Sequence, residues 1–164
     1  MRKVLVAIGC ALVAACHRAP ARPPLILISI DTLRSDHLPA YGYRGVETPN
    51  IDALARDSIR FDRAYSHVPL TLPSHATILT GALPAETGIR DNLGFTLNAK
   101  VPTLAEELKR NGYETGAAVS AYVLHKETGI SRGFDFYDDN VDVNVHSLSL
   151  SQRSGATTIG VAEN

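Results

Sequence analysis

The sequence predicts an α/β layer fold with a largely parallel sheet, and three observations carry that prediction. The first is a continuous apolar run, Leu25-Ile26-Leu27-Ile28-Ser29-Ile30, closed by Asp31. A run without polar alternation reads as a strand covered on both faces, as in a parallel sheet. The second is helix punctuation between strand-like runs, Thr48-Pro49-Asn50 and Thr103-Leu104-Ala105-Glu106. The third is a returning strand of small residues from Glu114 to Ser120, after the helix-stopping Asn111-Gly112. Strands that alternate with helices pack as layers of the two.

The chain begins with a targeting segment. Arg2 and Lys3 form a positive start, and Val4 to Ala15 is an apolar stretch of signal-peptide length, too short to span a bilayer. It ends Val13-Ala14-Ala15-Cys16, which resembles the bacterial lipoprotein box, so residues 1–15 are expected to be removed and Cys16 to be lipidated. Cys10 is the weaker candidate, and a plain secretory signal with an incidental cysteine is the alternative. Residues 16–24 carry three prolines and no large apolar side chain, and read as an extended tether. The domain is expected over 25–164.

Composition narrows the rest. With 45% hydrophobic and 20% charged residues the domain is ordinary and globular. Sixteen basic against seventeen acidic side chains give a net charge of −1 and leave no electrostatic footprint for nucleic acid. No Trp is present and Phe numbers 4, so the core is expected to be mostly aliphatic. Both cysteines, Cys10 and Cys16, precede the domain, which excludes a domain disulfide, a zinc–thiolate cluster and a Cys nucleophile within it.

After the first strand, Thr32 to Tyr43 reads as a loop with Arg34, Asp36 and His37. Asp31 stands at the strand's carboxyl end, where open α/β sheets place their ligands. A helix follows from Thr48, with Ile51, Leu54 and Ala55 as its apolar face. Ile59, Phe61 and Tyr65 mark a second strand. A helix over Pro73 to Thr80 is stopped by Gly81. Leu83 to Lys100 is rich in turns, and a connection of that length is more often functional than idle. The capping box at Thr103 starts another helix. Tyr122 to Thr128 is a short helix stopped at Gly129, Gly133 to Asp139 a loop with buried aromatics, and Ser151 to Glu163 a helix weakened by Gly155 and Gly160.

The stretch Thr71-Leu72-Pro73-Ser74-His75 joins the second strand to its helix. A hydroxyl in a proline-bracketed turn at a helix mouth is a way to present a nucleophile to a tetrahedral oxyanion, because amides at a helix start point outward and the dipole favours negative charge. The plainer reading makes Thr71 a helix N-cap.

Several ordered runs together resemble the N-terminal part of sulfatases, in the alkaline-phosphatase-like superfamily. They are Ile28 to His37, Tyr41-Gly42-Tyr43, Thr48 to Ala55, Pro69 to Gly81, Gly88-Ile89-Arg90-Asp91-Asn92 and Arg132-Gly133-Phe134-Asp135. The resemblance implies part of a three-layer α/β domain with a metal at the carboxyl edge of the sheet. It implies a metal-dependent hydrolase of sulfuric or phosphoric esters, acting on small-molecule or glycan substrates and anchored by lipid in the bacterial cell envelope. Asp31 falls on the family's first metal-binding carboxylate, and Thr71 falls on the nucleophile. Arg34 and His75 are placed to bind the oxygens of the anion. Calcium is the first choice of metal, with magnesium, manganese or zinc as alternatives. Beside these roles stand plainer ones: Asp31 as a turn cap, Arg34 paired with Asp36, and His75 as an ordinary satisfied histidine.

The chain departs from the family's pattern at four places. The usual Cys-x-Pro-Ser-Arg box reads Thr71-Leu72-Pro73-Ser74-His75, and threonine is not converted to formylglycine. That hydroxyl is what phosphodiesterases and phosphotransferases of the superfamily use. Asp31-Thr32 stands where two aspartates are usual, and a Gly-Lys-Trp-His-Leu box is missing around Ser120 to His125. The family's second metal-binding run lies well downstream, so the chain is expected to be an incomplete domain, with a non-catalytic fragment as the alternative to an enzyme.

Overall fold

The computed structural model describes residues 22–143 and 145–162. The expected signal segment 1–15, the lipidation candidate Cys16 and most of the expected 16–24 tether lie outside the described residues. Helices α1 (Pro49–Asp57), α2 (Thr71–Thr80), the single turn α3 (Pro84–Thr87) and α4 (Leu104–Arg110) precede strand β1 (Gly116–Ala118). Two 3-10 turns, Tyr122–Leu124 and Lys126–Thr128, lead to strand β2 (Phe136–Asp138), and α5 (Gly155–Ala162) closes the described chain. Strands β1 and β2 pair in parallel, with Gly116 opposite Phe136 and Ala118 opposite Asp138.

Helix boundaries follow local chemistry. At α4 the Thr103 hydroxyl accepts the Glu106 amide at 3.1 Å, and Glu106 Oε2 accepts the Thr103 amide at 2.8 Å. This is the reciprocal capping box that the sequence predicts. Thr103 is also buried, and its hydroxyl donates to the Arg132 carbonyl at 2.8 Å, so the cap doubles as a tie to the β2 approach. Helix α2 ends where Gly81 takes a left-handed φ of 69° and returns its amide to the Thr77 carbonyl.

One aliphatic cluster holds these elements: Leu72 and Ala76 of α2, Ile89, Leu97, Val123, Leu124 and Ile130. Leu72, Ile89, Val123 and Ile130 are essentially inaccessible to solvent. Burying each contributes roughly 1.5–3 kcal/mol relative to exposure. Little of this cluster depends on the sheet; the segments between α3 and β2 supply most of it.

Four expectations are corrected. Residues 25–30 are extended but pair with no strand among the described residues, and Leu25, Ile26, Leu27, Ile28 and Ile30 are all exposed, from 53% to 79%. Residues 59–66 form no strand either, with Ile59 and Tyr65 over 80% exposed. An unalternating apolar run records a demand for burial on both faces; it becomes a strand only where neighbours supply the hydrogen bonds. The short helix at Tyr122 to Thr128 is two separate 3-10 turns, divided at His125, whose backbone is extended. The loop at Gly133 to Asp139 contains β2, whose Phe136 is 54% exposed while Tyr137 packs on the core.

Candidate active site

Helix α2 begins at Thr71 itself, two residues earlier than its proline implies. Leu70 is the N-cap, with extended backbone and no side chain able to cap. Thr71 is therefore the first helical residue and its hydroxyl is not spent on the helix's own amides. Instead Oγ1 donates to Asp31 Oδ2 at 3.0 Å, across a sequence separation of 40. A hydroxyl hydrogen-bonded to a carboxylate is the basic arrangement of an activated nucleophile.

The amides at this helix mouth are partly engaged. The Leu72 amide donates to Asn92 Oδ1 at 2.9 Å, and Pro73 has no N–H to offer. Of residues 71–73, Thr71 keeps the one amide not so engaged. The cradle of outward-pointing donors expected at a helix start is thus reduced here, and Asn92 is a contributor that sequence reading did not single out. Its signal was present in the turn-rich segment after Gly88, but no spacing rule links it to Leu72.

His75 lies one turn along α2. Its Nδ1 is 2.8 Å from the Thr71 carbonyl oxygen and its Nε2 is 3.0 Å from Ser29 Oγ. A carbonyl oxygen only accepts, so Nδ1 is the protonated nitrogen. Both ring nitrogens have partners within the chain. Ser74 Oγ meets Ser66 Oγ at 3.0 Å, fixing the approach to the turn.

Arg34 is held apart from this group. Its Nε and Nη2 meet Asp36 Oδ1 and Oδ2 at 2.9 and 2.5 Å, a two-point pair on the surface. The hydrogen bond to Arg34, with the cation's charge, holds the Asp36 carboxyl below its ordinary range, and the same bond raises the guanidinium's. The structure therefore gathers Asp31, Thr71 and His75, while Arg34 takes the plainer partner.

Asp31 sits in a turn where the Leu33 amide approaches the Ile30 carbonyl at 3.4 Å. The next residue, Thr32, has φ of 56°, the one non-glycine residue with positive φ among those described. A β-branched residue is strained in that region.

A metal is tested against these donors. Calcium takes six to eight oxygens and magnesium a near-ideal octahedron. Among the described residues no group of three or more His, Cys, Asp or Glu side chains converges, and Thr32 adds no second carboxylate beside Asp31. Among the described residues the donors do not fit a divalent-metal site, to which Asp31 alone would bring a carboxylate.

Comparison with known proteins bears on the same region. The family model described as Sulfatase matches residues 23–148. An N-acetylglucosamine-6-O-sulfatase of Bacteroides thetaiotaomicron is 35% identical over 116 residues, covering 71% of this chain and 20% of that protein. Human arylsulfatase A is 39% identical over 113 residues, covering 65% of this chain and 22% of that protein. A solved structure in complex with its substrate D-glucosamine-2-N,6-O-disulfate superposes with a TM-score of 0.56 at 30% identity. It covers 69% of this chain and 21% of that one. The chain spans between a fifth and a quarter of the length of these relatives.

Proposed function

The chain belongs to the sulfatase family, and from that premise we propose that it hydrolyses sulfuric or phosphoric esters with Thr71 as nucleophile. The observation that carries the reading is the 3.0 Å hydrogen bond from Thr71 Oγ1, at the first turn of α2, to Asp31 Oδ2. In the first step Oγ1 attacks sulfur or phosphorus. The new bond to Oγ1 forms as the bond to the ester oxygen breaks, and the hydroxyl proton passes to Asp31. The leaving alkoxide takes a proton from solvent. Water then attacks the Thr71 ester and gives up a proton to solvent, the proton on Asp31 returns to Oγ1, and sulfate or the phosphate (a monoester where the substrate is a diester) leaves. The Thr71 amide and the dipole of α2 favour the anion at this position.

Two features divide the substrate classes. Family membership favours a sulfate ester, and one solved relative holds a sulfated amino sugar. The threonine favours a phosphoester, because a plain hydroxyl cannot follow the hydrated-aldehyde route. The reading also places the protein in the bacterial cell envelope, lipidated at Cys16 after Val13-Ala14-Ala15. Incorporation of labelled fatty acid that Cys16→Ser abolishes would support that placement, and unchanged labelling would remove it.

The activity is tested on the full chain with matched aryl sulfate, aryl phosphodiester and glucosamine-6-sulfate, with and without calcium, magnesium, manganese or zinc. Turnover that Thr71→Ala abolishes and Thr71→Ser retains is the expected result. Absence of turnover under every condition, or turnover indifferent to Thr71→Ala, overturns the proposal. The ratio of kcat/KM for the matched sulfate and phosphodiester assigns the ester class.

A further inference from the structure

The segment that carries Asp31 is paired with no strand among the described residues. Residues 25–30 are extended and belong to no strand among the described residues. In such a segment the backbone advances about 3.3 Å per residue, so a slip of two residues displaces a side chain by more than a hydrogen bond can bridge. Yet Asp31 Oδ2 meets Thr71 Oγ1 at 3.0 Å. Among the described residues no sheet ladder sets that alignment.

Two side-chain hydrogen bonds join the segment to α2: Asp31 with Thr71, and Ser29 with His75. Ser29 stands two residues before Asp31, on the same side of an extended chain. His75 stands four residues after Thr71, on the same face of the helix. The pairs are therefore neighbouring rungs between the same two elements. His75 is itself braced, since Nδ1 donates to the Thr71 carbonyl at 2.8 Å, which orients the ring and turns Nε2 toward Ser29 Oγ. In the neutral ring Nε2 is then an acceptor and the Ser29 hydroxyl donates to it.

We propose that Ser29 and His75 form a positioning clasp, which registers the 25–31 segment along α2 and so holds the Asp31 carboxylate on the Thr71 hydroxyl. His75 acts through Asp31 and does not itself ligate the anion, because both ring nitrogens are occupied. The inference uses the proposed function only for the meaning of the Asp31–Thr71 pair; the geometry is tested without turnover.

The test is NMR of the full chain labelled with ¹³C and ¹⁵N. The Asp31 Cγ resonance responds to hydrogen bonding of its carboxylate, and Thr71→Ala supplies its position without the Thr71 bond. Ser29→Ala and His75→Phe are expected to move that resonance most of the way to the Thr71→Ala position, and Ser29→Thr to restore it. The wild-type His75 ring is expected to show the Nδ1–H tautomer when neutral. An Asp31 resonance unmoved in Ser29→Ala overturns the clasp, whatever the assays of Thr71→Ala give. So does an Asp31 resonance indifferent to Thr71→Ala, or a neutral ring protonated on Nε2. Should His75→Phe fail to fold, the exposed Ser29→Ala variant decides alone. A clasp confirmed in a chain without turnover would remove the proposed activity and leave this inference standing.

Discussion

Asn92 Oδ1 accepts the Leu72 amide at 2.9 Å and does for α2 what its own N-cap does not. Leu70 occupies the cap position without a polar side chain. An amide at the second helical position would otherwise be left with no partner, next to a Leu72 that is wholly buried. Asn92→Ala is expected to cost about 1 kcal/mol, the usual worth of a helix cap, and to lower Tm by about 3 °C. Asn92→Asp retains the acceptor oxygen and should lie near wild type. Thermal denaturation of the two variants side by side checks this. Equal losses in both would show that the amide bond is not what Asn92 contributes.

Thr32 stores strain next to Asp31. Its φ of 56° is a region that asparagine tolerates and a β-branched residue does not. Thr32→Asn is expected to stabilise the chain by about 1 kcal/mol, read as a higher urea midpoint at unchanged slope. A lower midpoint would mean that the threonine side chain makes contacts worth more than the strain.

Much of the local structure was legible because it rests on neighbouring residues. The Thr103–Glu106 box, the Gly81 stop and the start of α1 each depend on chemistry within a few positions. The family resemblance assigned Thr71 and Asp31 to one site, but their hydrogen bond was not among the expectations, since a sequence separation of 40 carries no spacing rule. The strands at 25–30 and 59–66 were misread for the complementary reason. Their apolar patterns state a preference, whereas a strand requires partners that local sequence cannot supply. Arg34 follows the local rule instead: its plainer reading, a pair with the carboxylate two residues away, is the one the structure has.

Gly133 is required by a close approach. Its φ is 88°, and a Cβ there would lie 2.2 Å from the Glu106 amide nitrogen and 2.7 Å from the Ala105 carbonyl carbon. Both neighbours are backbone of α4, which the Thr103 cap and its bond to the Arg132 carbonyl hold against this turn. No side chain is available to swing aside. Gly133→Ala is expected to cost about 3 kcal/mol, from overpacking added to backbone strain. Chemical denaturation measures it. A loss below about 1 kcal/mol would show that α4 shifts freely, against the two-sided hold at Thr103.

Asp135 gives the fold an acid-sensitive joint where β2 meets the start of β1. Its Oδ1 pairs with Lys109 of α4, and Oδ2 accepts the Thr115 amide at 3.1 Å; the single Thr115 hydroxyl proton is shared between Oδ2 at 3.1 Å and the Gly133 carbonyl oxygen at 2.7 Å. The Lys109 hydrogen bond, followed by those from Thr115, holds its carboxyl below the ordinary range. A carboxyl depressed in the folded state binds its proton more readily when unfolded. Its contribution is therefore present above the unfolded value, near 3.9 for Asp, and is lost as pH falls through the folded one. Asp135→Asn is expected to lower Tm by a constant amount from about pH 7 to about pH 5, and the gap to wild type should close below about pH 4. Added salt should narrow the neutral-pH gap only in part, because screening weakens the Lys109 pair and leaves the Thr115 bonds in place. Melting curves across that range check both statements. A gap that widens on acidification would show that the carboxylate is not the stabilising form.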